Sequence, residues 1–206
     1  MTDRPMYRWR SMTDEQRDQV RKHRRENALP RHSPPHYRGE TGLYLLTTAC
    51  FEHRPVIGVS PERMAGFEID LLKVLHEKSE EIFAWIVLPN RYHALVRAAN
   101  IDGLLWQLGR LHGRTSYDWN GEENGRGRQV WFNAAETAIK SDRHFWASMN
   151  YVLHNAVRHG YVERWADWPF CNAKDYLASV GHDEAKRIWF EYPLLDFGND
   201  WDPPEL

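Results

Sequence analysis

The sequence predicts an α+β fold of the ferredoxin-like split βαβ type: an antiparallel four-stranded sheet with helices on one face, followed by one more helix. Three observations predict it. Short runs rich in apolar and β-favouring residues alternate with stretches whose apolar residues recur at helical spacing. The turn pair Pro89-Asn90 separates two strand-like runs and so makes a hairpin. The resulting order is β-α-β-β-α-β plus a helix, within the 206 residues of one compact domain with appendages.

The elements follow in chain order. Thr13-Asp14-Glu15-Gln16 is a capping-box helix start, and the stretch to about Asn27 is helix-forming but polar on nearly every face. Leu29 to His36, with Pro30, Pro34 and Pro35, is a stiff connector. Leu43 to Cys50 is the first strand. Met64, Phe67, Leu71, Leu72, Val74 and Leu75 mark a helix from about Pro61 to Lys78. Ile82 to Leu88 and Tyr92 to Val96 are the hairpin strands. Leu104, Leu105, Leu108 and Leu111 mark the second helix, and Gly121 to Gly127 a polar loop. Val130-Trp131-Phe132 is read as the fourth strand. Ser141 to His159 is a third helix, ended by Gly160. Three regions result: a basic helical arm with its connector at 1–40, a core domain at 41–181 and an acidic tail at 182–206.

Net charge is −2, but the sum hides a gradient. Residues 1–40 hold ten Lys/Arg against six Asp/Glu, whereas residues 163–206 hold four against ten. A basic arm on a balanced body suits a polyanion; a solvated surface explains it too. No apolar run approaches the roughly 18 residues of a membrane span, and Met1-Thr2-Asp3-Arg4 begins no signal peptide. Two cysteines, Cys50 and Cys171, are too few for a disulfide scaffold, so a cytoplasmic location is expected.

Three clusters carry chemistry. Arg91 and His93 lie two apart on a strand and so project to one face, with Tyr92 on the other. A guanidinium cannot donate a lone pair to a metal, so this is either a surface Arg beside a satisfied His or a polar site. On the third helix, Phe145, Met149, Val152, Leu153 and Ala156 form an apolar stripe, with Tyr151 and Asn155 together off it and Ser148 and Arg158 nearby. That flank offers a nucleophile, an oxygen ligand and a phosphate clamp, or only a rim-packing Tyr. Leu111 to Asn120 with Arg126-Gly127-Arg128 mixes basic, hydroxyl and aromatic groups of the kind that contact nucleic acid. A helix C-terminus explains Arg110, Arg114 and His112 equally well. Gly-rich phosphate loops, His-Glu-x-x-His, Gly-x-Ser-x-Gly and Cys-x-x-Cys are all missing from the sequence.

Several segments together resemble the REP-associated tyrosine transposases, a branch of the single-tyrosine HUH transposases. Leu88-Pro89-Asn90-Arg91-Tyr92-His93 resembles that family's Leu-Pro-Asn-His-x-His strand, with Arg91 in place of the first His. Asn150-Tyr151-Val152-Leu153-His154-Asn155-Ala156-Val157-Arg158-His159-Gly160 resembles its nucleophile helix, usually Tyr-Ile-x-x-Asn-Pro-Val-x-x-Gly, and Asp167-Trp168-Pro169-Phe170 and Tyr176-Leu177 resemble the stretch beyond it. The similarity runs in order from about Gly42 to Gly181.

The resemblance implies a single-stranded DNA endonuclease and strand transferase acting on hairpin DNA. Tyr151 would attack a phosphodiester, leaving a 5′-phosphotyrosine link and a free 3′-hydroxyl. It implies Mg²⁺ or Mn²⁺ held by His93, Asn155 and the residue at position 91. Arg91 weakens that expectation, since like charges about 4 Å apart at an effective dielectric near 20 repel by roughly 4 kcal/mol; its guanidinium would contact the scissile phosphate instead. Ala156 replaces the usual Pro and continues the helix readily. A second reading is a degenerate relative that binds hairpin or single-stranded DNA without cutting it; the first is preferred because Tyr151, Asn155 and His93 are all present. Phosphate contacts are expected from Arg21, Lys22, Arg24 and Arg25 of the arm and from Arg110, Arg114 and Arg158, in a monomer or homodimer. The enzymatic reading requires the Tyr151 phenol to lie beside His93, open to a DNA linkage.

Overall fold

A computed structural model describes residues 42–195 and 197, together with Thr13, Glu15 and Gln19. The expected arm contacts Arg21, Lys22, Arg24 and Arg25 lie outside the described residues, as does the whole connector. The chain divides into units at Met1–His36 and Tyr37–Leu206, and the sheet with its helices belongs to the second.

Its elements are β1 (Leu43–Ala49), α1 (Pro61–Lys78), β2 (Glu81–Leu88), β3 (Arg91–Arg97), α2 (Ile101–Glu122), β4 (Ala135–Ala138), α3 (Asp142–Leu153), α4 (Asn155–Arg158), α5 (Ala173–Val180) and α6 (His182–Glu191), with single 3₁₀ turns at Phe51–His53, Ile57–Val59 and Trp165–Asp167. The sheet order is β2-β3-β1-β4 and every pairing is antiparallel, the expected α+β arrangement. Polar caps set the helix starts: Ser60, Asn100 and Ser141 each accept a hydrogen bond from the backbone N–H three residues on.

Strand alternation splits the interior into two cores. Tyr44 and Leu46 of β1, Val87 of β2 and Tyr92, Ala94 and Val96 of β3 pack with α1 and α2. Leu45, Ala84, Ile86, Leu88 and Leu95 pack with α3 and Ala173 of α5 on the opposite face. The two crossover helices therefore cover one face and the third helix the other. The central position of β3, between β1 and β2, buries both faces of Arg91 to Val96.

The structure corrects three expectations. The regular fourth strand is Ala135–Ala138, not 130–132; the earlier run makes only an isolated pairing between Cys50 and Trp131, with backbone bonds from Phe51 to Val130 and from Phe132 to Ala49. Trp131 is instead an anchor: its indole stacks on His112 at 4.6 Å and donates to Thr115 Oγ1 at 3.0 Å. The single helix expected over 141–159 breaks at His154, whose backbone (φ −100°, ψ 7°) leaves the helical region. The His154 ring is held between Trp165 and Trp189, with centroids 4.7 and 3.9 Å away. Finally, the first ten residues of the expected acidic tail form α6. Asn150 clips it to α3, donating to Ile188 O at 3.2 Å and Tyr192 O at 2.9 Å.

Candidate functional site

The hairpin turn fixes where β3 begins. Cys50 donates its backbone N–H to Asn90 O at 2.7 Å, Gly58 donates to Pro89 O at 2.9 Å, and the Asn90 amide donates to His53 O at 3.1 Å. A Cβ on Gly58 would sit 2.4 Å from Pro89 Cβ, so glycine lets this loop press on the turn. Arg91 then faces Ala49 and Leu88 across the sheet, and His93 faces Thr47 and Ile86. The two side chains share the face that α3 covers, and Tyr92 points into the other core, as the spacing requires.

On that face, Arg91 Nε donates to Asn90 Oδ1 at 3.0 Å and its Nη1 lies 3.4 Å from His159 Nε2. His93 Nδ1 lies 3.1 Å from Thr47 Oγ1, and its Nε2 lies 3.4 Å from the Tyr151 hydroxyl. Burial holds the His93 pKa well below the ordinary imidazole value, and the charges of Arg91 and His159 push the same way, so the ring is neutral. Burial raises the Tyr151 pKa, opposed by the Arg91 charge, a hydrogen bond from the Asn155 side chain and the Arg158 charge. The phenol thus sits among groups that favour its ionised form inside a site that disfavours ionisation.

Tyr151, His93, Arg91, Asn155 and Arg158 are therefore brought together. Arg110 and Arg114 are not: they lie on α2, across the sheet, where Arg114 pairs with Asp70 at 2.6 Å. The expected exposure of Tyr151 is corrected. It is 0% exposed, belongs to the apolar cluster under α3, and has Phe197 packed on it with ring centroids 5.2 Å apart. The cause is that α3 is covered twice, by the sheet and by the chain beyond α6, whereas the sequence pattern predicts one apolar face.

The expected metal set does not fit this arrangement. His93 has both ring nitrogens within reach of hydroxyl partners, the third position carries a cation, and among the described residues no three His, Cys, Asp or Glu side chains cluster to hold an ion. Sequence reasoning passed over His159 as a site residue. Helical spacing gives no signal for it, because the helix breaks at His154 and His159 lies just beyond α4.

No protein-family model matches the chain. A curated protein of Escherichia coli (strain K12), the REP-associated tyrosine transposase, is 28% identical over 100 residues, which cover 48% of this chain and 58% of that relative. The match thus spans less than two thirds of the relative's length. A solved structure of a REP-associated tyrosine transposase bound to a REP hairpin has the same fold, with a TM-score of 0.55 at 19% identity over 70% of this chain and 84% of the other. The resemblance to this transposase family is carried by sequence and by fold alike.

Proposed function

We propose that the chain acts on hairpin-forming single-stranded DNA as a tyrosine transposase-type endonuclease and strand transferase, with Tyr151 as nucleophile. The observation that carries this reading is the 3.4 Å approach of the Tyr151 hydroxyl to His93 Nε2, in a buried cluster with Arg91, Asn155 and Arg158 beside them. The Tyr151 oxygen attacks phosphorus; the new O–P bond forms as the bond to the 3′-oxygen breaks, and the 3′-oxygen takes a proton from water. His93 Nε2, neutral and nearest, accepts the phenol proton, the 3.4 Å gap closing when substrate binds. Arg91 neutralises charge developing on the phosphoryl oxygens. Burial keeps His93 a weak base, and the Arg91 and His159 charges add to this; a bound phosphate offsets the part due to charge. No step is assigned to Mg²⁺ or Mn²⁺, because the donor set does not suit them. Phe197 must be displaced for DNA to reach the phenol.

A second reading, DNA binding without cleavage, is favoured by the burial of Tyr151 and the guanidinium at position 91. Incubation of the full chain with end-labelled hairpin DNA, with chelator and with Mn²⁺, separates the two on a denaturing gel. A covalent adduct that forms in chelator and is lost in Tyr151→Phe supports the enzyme. Retarded DNA with no adduct under either condition supports the binder.

A further inference from the structure

The solvent face of α2 has an unusual composition. Trp106 is 61% exposed and Tyr117 is 68% exposed. At 3.6 residues per turn these two positions differ by only about 20° around the helix, so both rings stand on one line, opposite the buried Leu104, Leu108 and Thr115. Each ring carries a guanidinium: Arg110 lies over Trp106 at 5.0 Å and Arg126 over Tyr117 at 4.0 Å. Neither Arg pairs with a carboxylate among the described residues, unlike Arg114 beside them. Gly109 and Gly113 lie between the rings on the same side. A Cβ at either would meet nothing within 4 Å, so packing within the protein does not demand glycine at two positions where it weakens the helix.

We infer that this face of α2 is a second nucleic-acid surface, on which an unpaired DNA strand stacks bases on Trp106 and Tyr117 and places phosphates against Arg110 and Arg126. The inference rests on the reading that the chain binds hairpin DNA, and adds which part of the DNA is held and where. The chemistry matches a single strand: every base has a face for a ring, every linkage a charge for a guanidinium, and a paired stem offers no free base faces. Eleven residues of helix separate the rings by roughly 16 Å, the span of about five stacked nucleotides at roughly 3.4 Å each. The bare helix backbone at Gly109 and Gly113 lets that strand lie close between them. Since α2 and α3 cover opposite faces of the sheet, the strand held here is flanking sequence, not the linkage at Tyr151.

The test is fluorescence anisotropy at low salt with two labelled hairpins, one blunt and one extended by a single strand, on the full chain and its Trp106→Ala, Tyr117→Ala, doubly substituted and Trp106→Phe forms. The extension is expected to tighten wild-type binding. Each Ala substitution is expected to raise Kd for the extended hairpin about fivefold or more, with blunt-hairpin Kd and Tm unchanged and Trp106→Phe retaining most of the affinity. Equal binding of the extended hairpin by the wild type and the double variant overturns the inference while leaving the DNA-binding reading in place. Equal losses on both hairpins overturn the single-strand assignment, as does a wild-type dimer that the double variant dissociates with DNA affinity intact. Wild-type protein that binds neither hairpin removes the functional reading itself, and this inference with it.

Discussion

The two faces of the sheet hold the same pair of groups in different company. On one, the Tyr92 hydroxyl lies 3.0 Å from His112 Nε2; on the other, the Tyr151 hydroxyl lies 3.4 Å from His93 Nε2. Both phenols are fully buried, and burial raises the pKa of each. Around Tyr92 stand Phe67, His112 and Trp131, with Thr48 the one hydrogen-bonding group that lowers its pKa. Around Tyr151 stand Arg91, Asn155 and Arg158, all of which favour phenolate. A Tyr-His contact is therefore structural or chemical according to its electrostatic surroundings, and the pair itself does not decide which.

Exchanging the phenols tests this most severely. Tyr151→Phe should abolish the covalent DNA adduct, a loss of at least about a thousandfold in single-turnover cleavage, because the phenol is the proposed nucleophile facing His93 Nε2. Tyr92→Phe should retain cleavage but lower stability by about 1–3 kcal/mol in urea titration, since His112 loses a buried partner. Comparable cleavage losses in both variants would erase the distinction between the faces. The cation comes next: Arg91→Leu should slow cleavage by roughly 10²–10³-fold with little change in hairpin Kd, as expected of a group acting on developing charge. Arg91→His should add Mn²⁺-dependent cleavage by restoring an imidazole at that position. No gain in metal affinity or cutting would mean that the hairpin has been misread.

Acid acts on both faces, because each buries a histidine in its neutral form. Burial pushes the His112 pKa down to about 4 from 6.5. Above pH 6.5 the ring is neutral whether folded or unfolded. As pH falls towards 4 only the unfolded chain takes the proton, so stability is lost across that window, by roughly 3 kcal/mol for this group. His154, also at about 4, adds a similar dependence. Replacing Tyr92 and His112 together by Phe and Leu should make urea-derived stability fall less steeply between about pH 7 and 4.5, with His93 and His154 supplying the remaining slope; an unchanged slope would mean that His112 is not the buried neutral base described. The smallest effect expected is from the arm. Deleting residues 1–40 should weaken hairpin binding and reduce its salt slope by about 0.7 for each phosphate that the arm neutralises, and an unchanged slope would remove the arm from the interface.

The sequence made some of this legible and hid the rest for identifiable reasons. Period-two and helical spacing located β1, β2, β3, α1 and α2, and the Pro89-Asn90 turn placed Arg91 and His93 on one face. Hydrophobicity misled at Val130-Trp131-Phe132, where Trp131 fills a core while the ladder falls on Ala135–Ala138, a half-exposed edge strand needing few apolar residues. Charge misled in the tail: Ala185, Ile188, Trp189 and Tyr192 stand at i, i+3, i+4 and i+7, a helical stripe obscured by the acids around it. The break at His154 depends on Trp165 and Trp189, rings brought in from other elements, which local pattern cannot reveal. Burial of Tyr151 has the same origin, since Phe197 reaches it from 46 residues further along the chain.

The most direct test is denaturing electrophoresis of end-labelled hairpin DNA incubated with the wild type, Tyr151→Phe and Tyr92→Phe. The expected result is a covalent adduct with the wild type and Tyr92→Phe and none with Tyr151→Phe. An adduct that survives Tyr151→Phe, or DNA that is bound by the wild type and never joined to it, would contradict the assignment of the nucleophile to the Arg91 face.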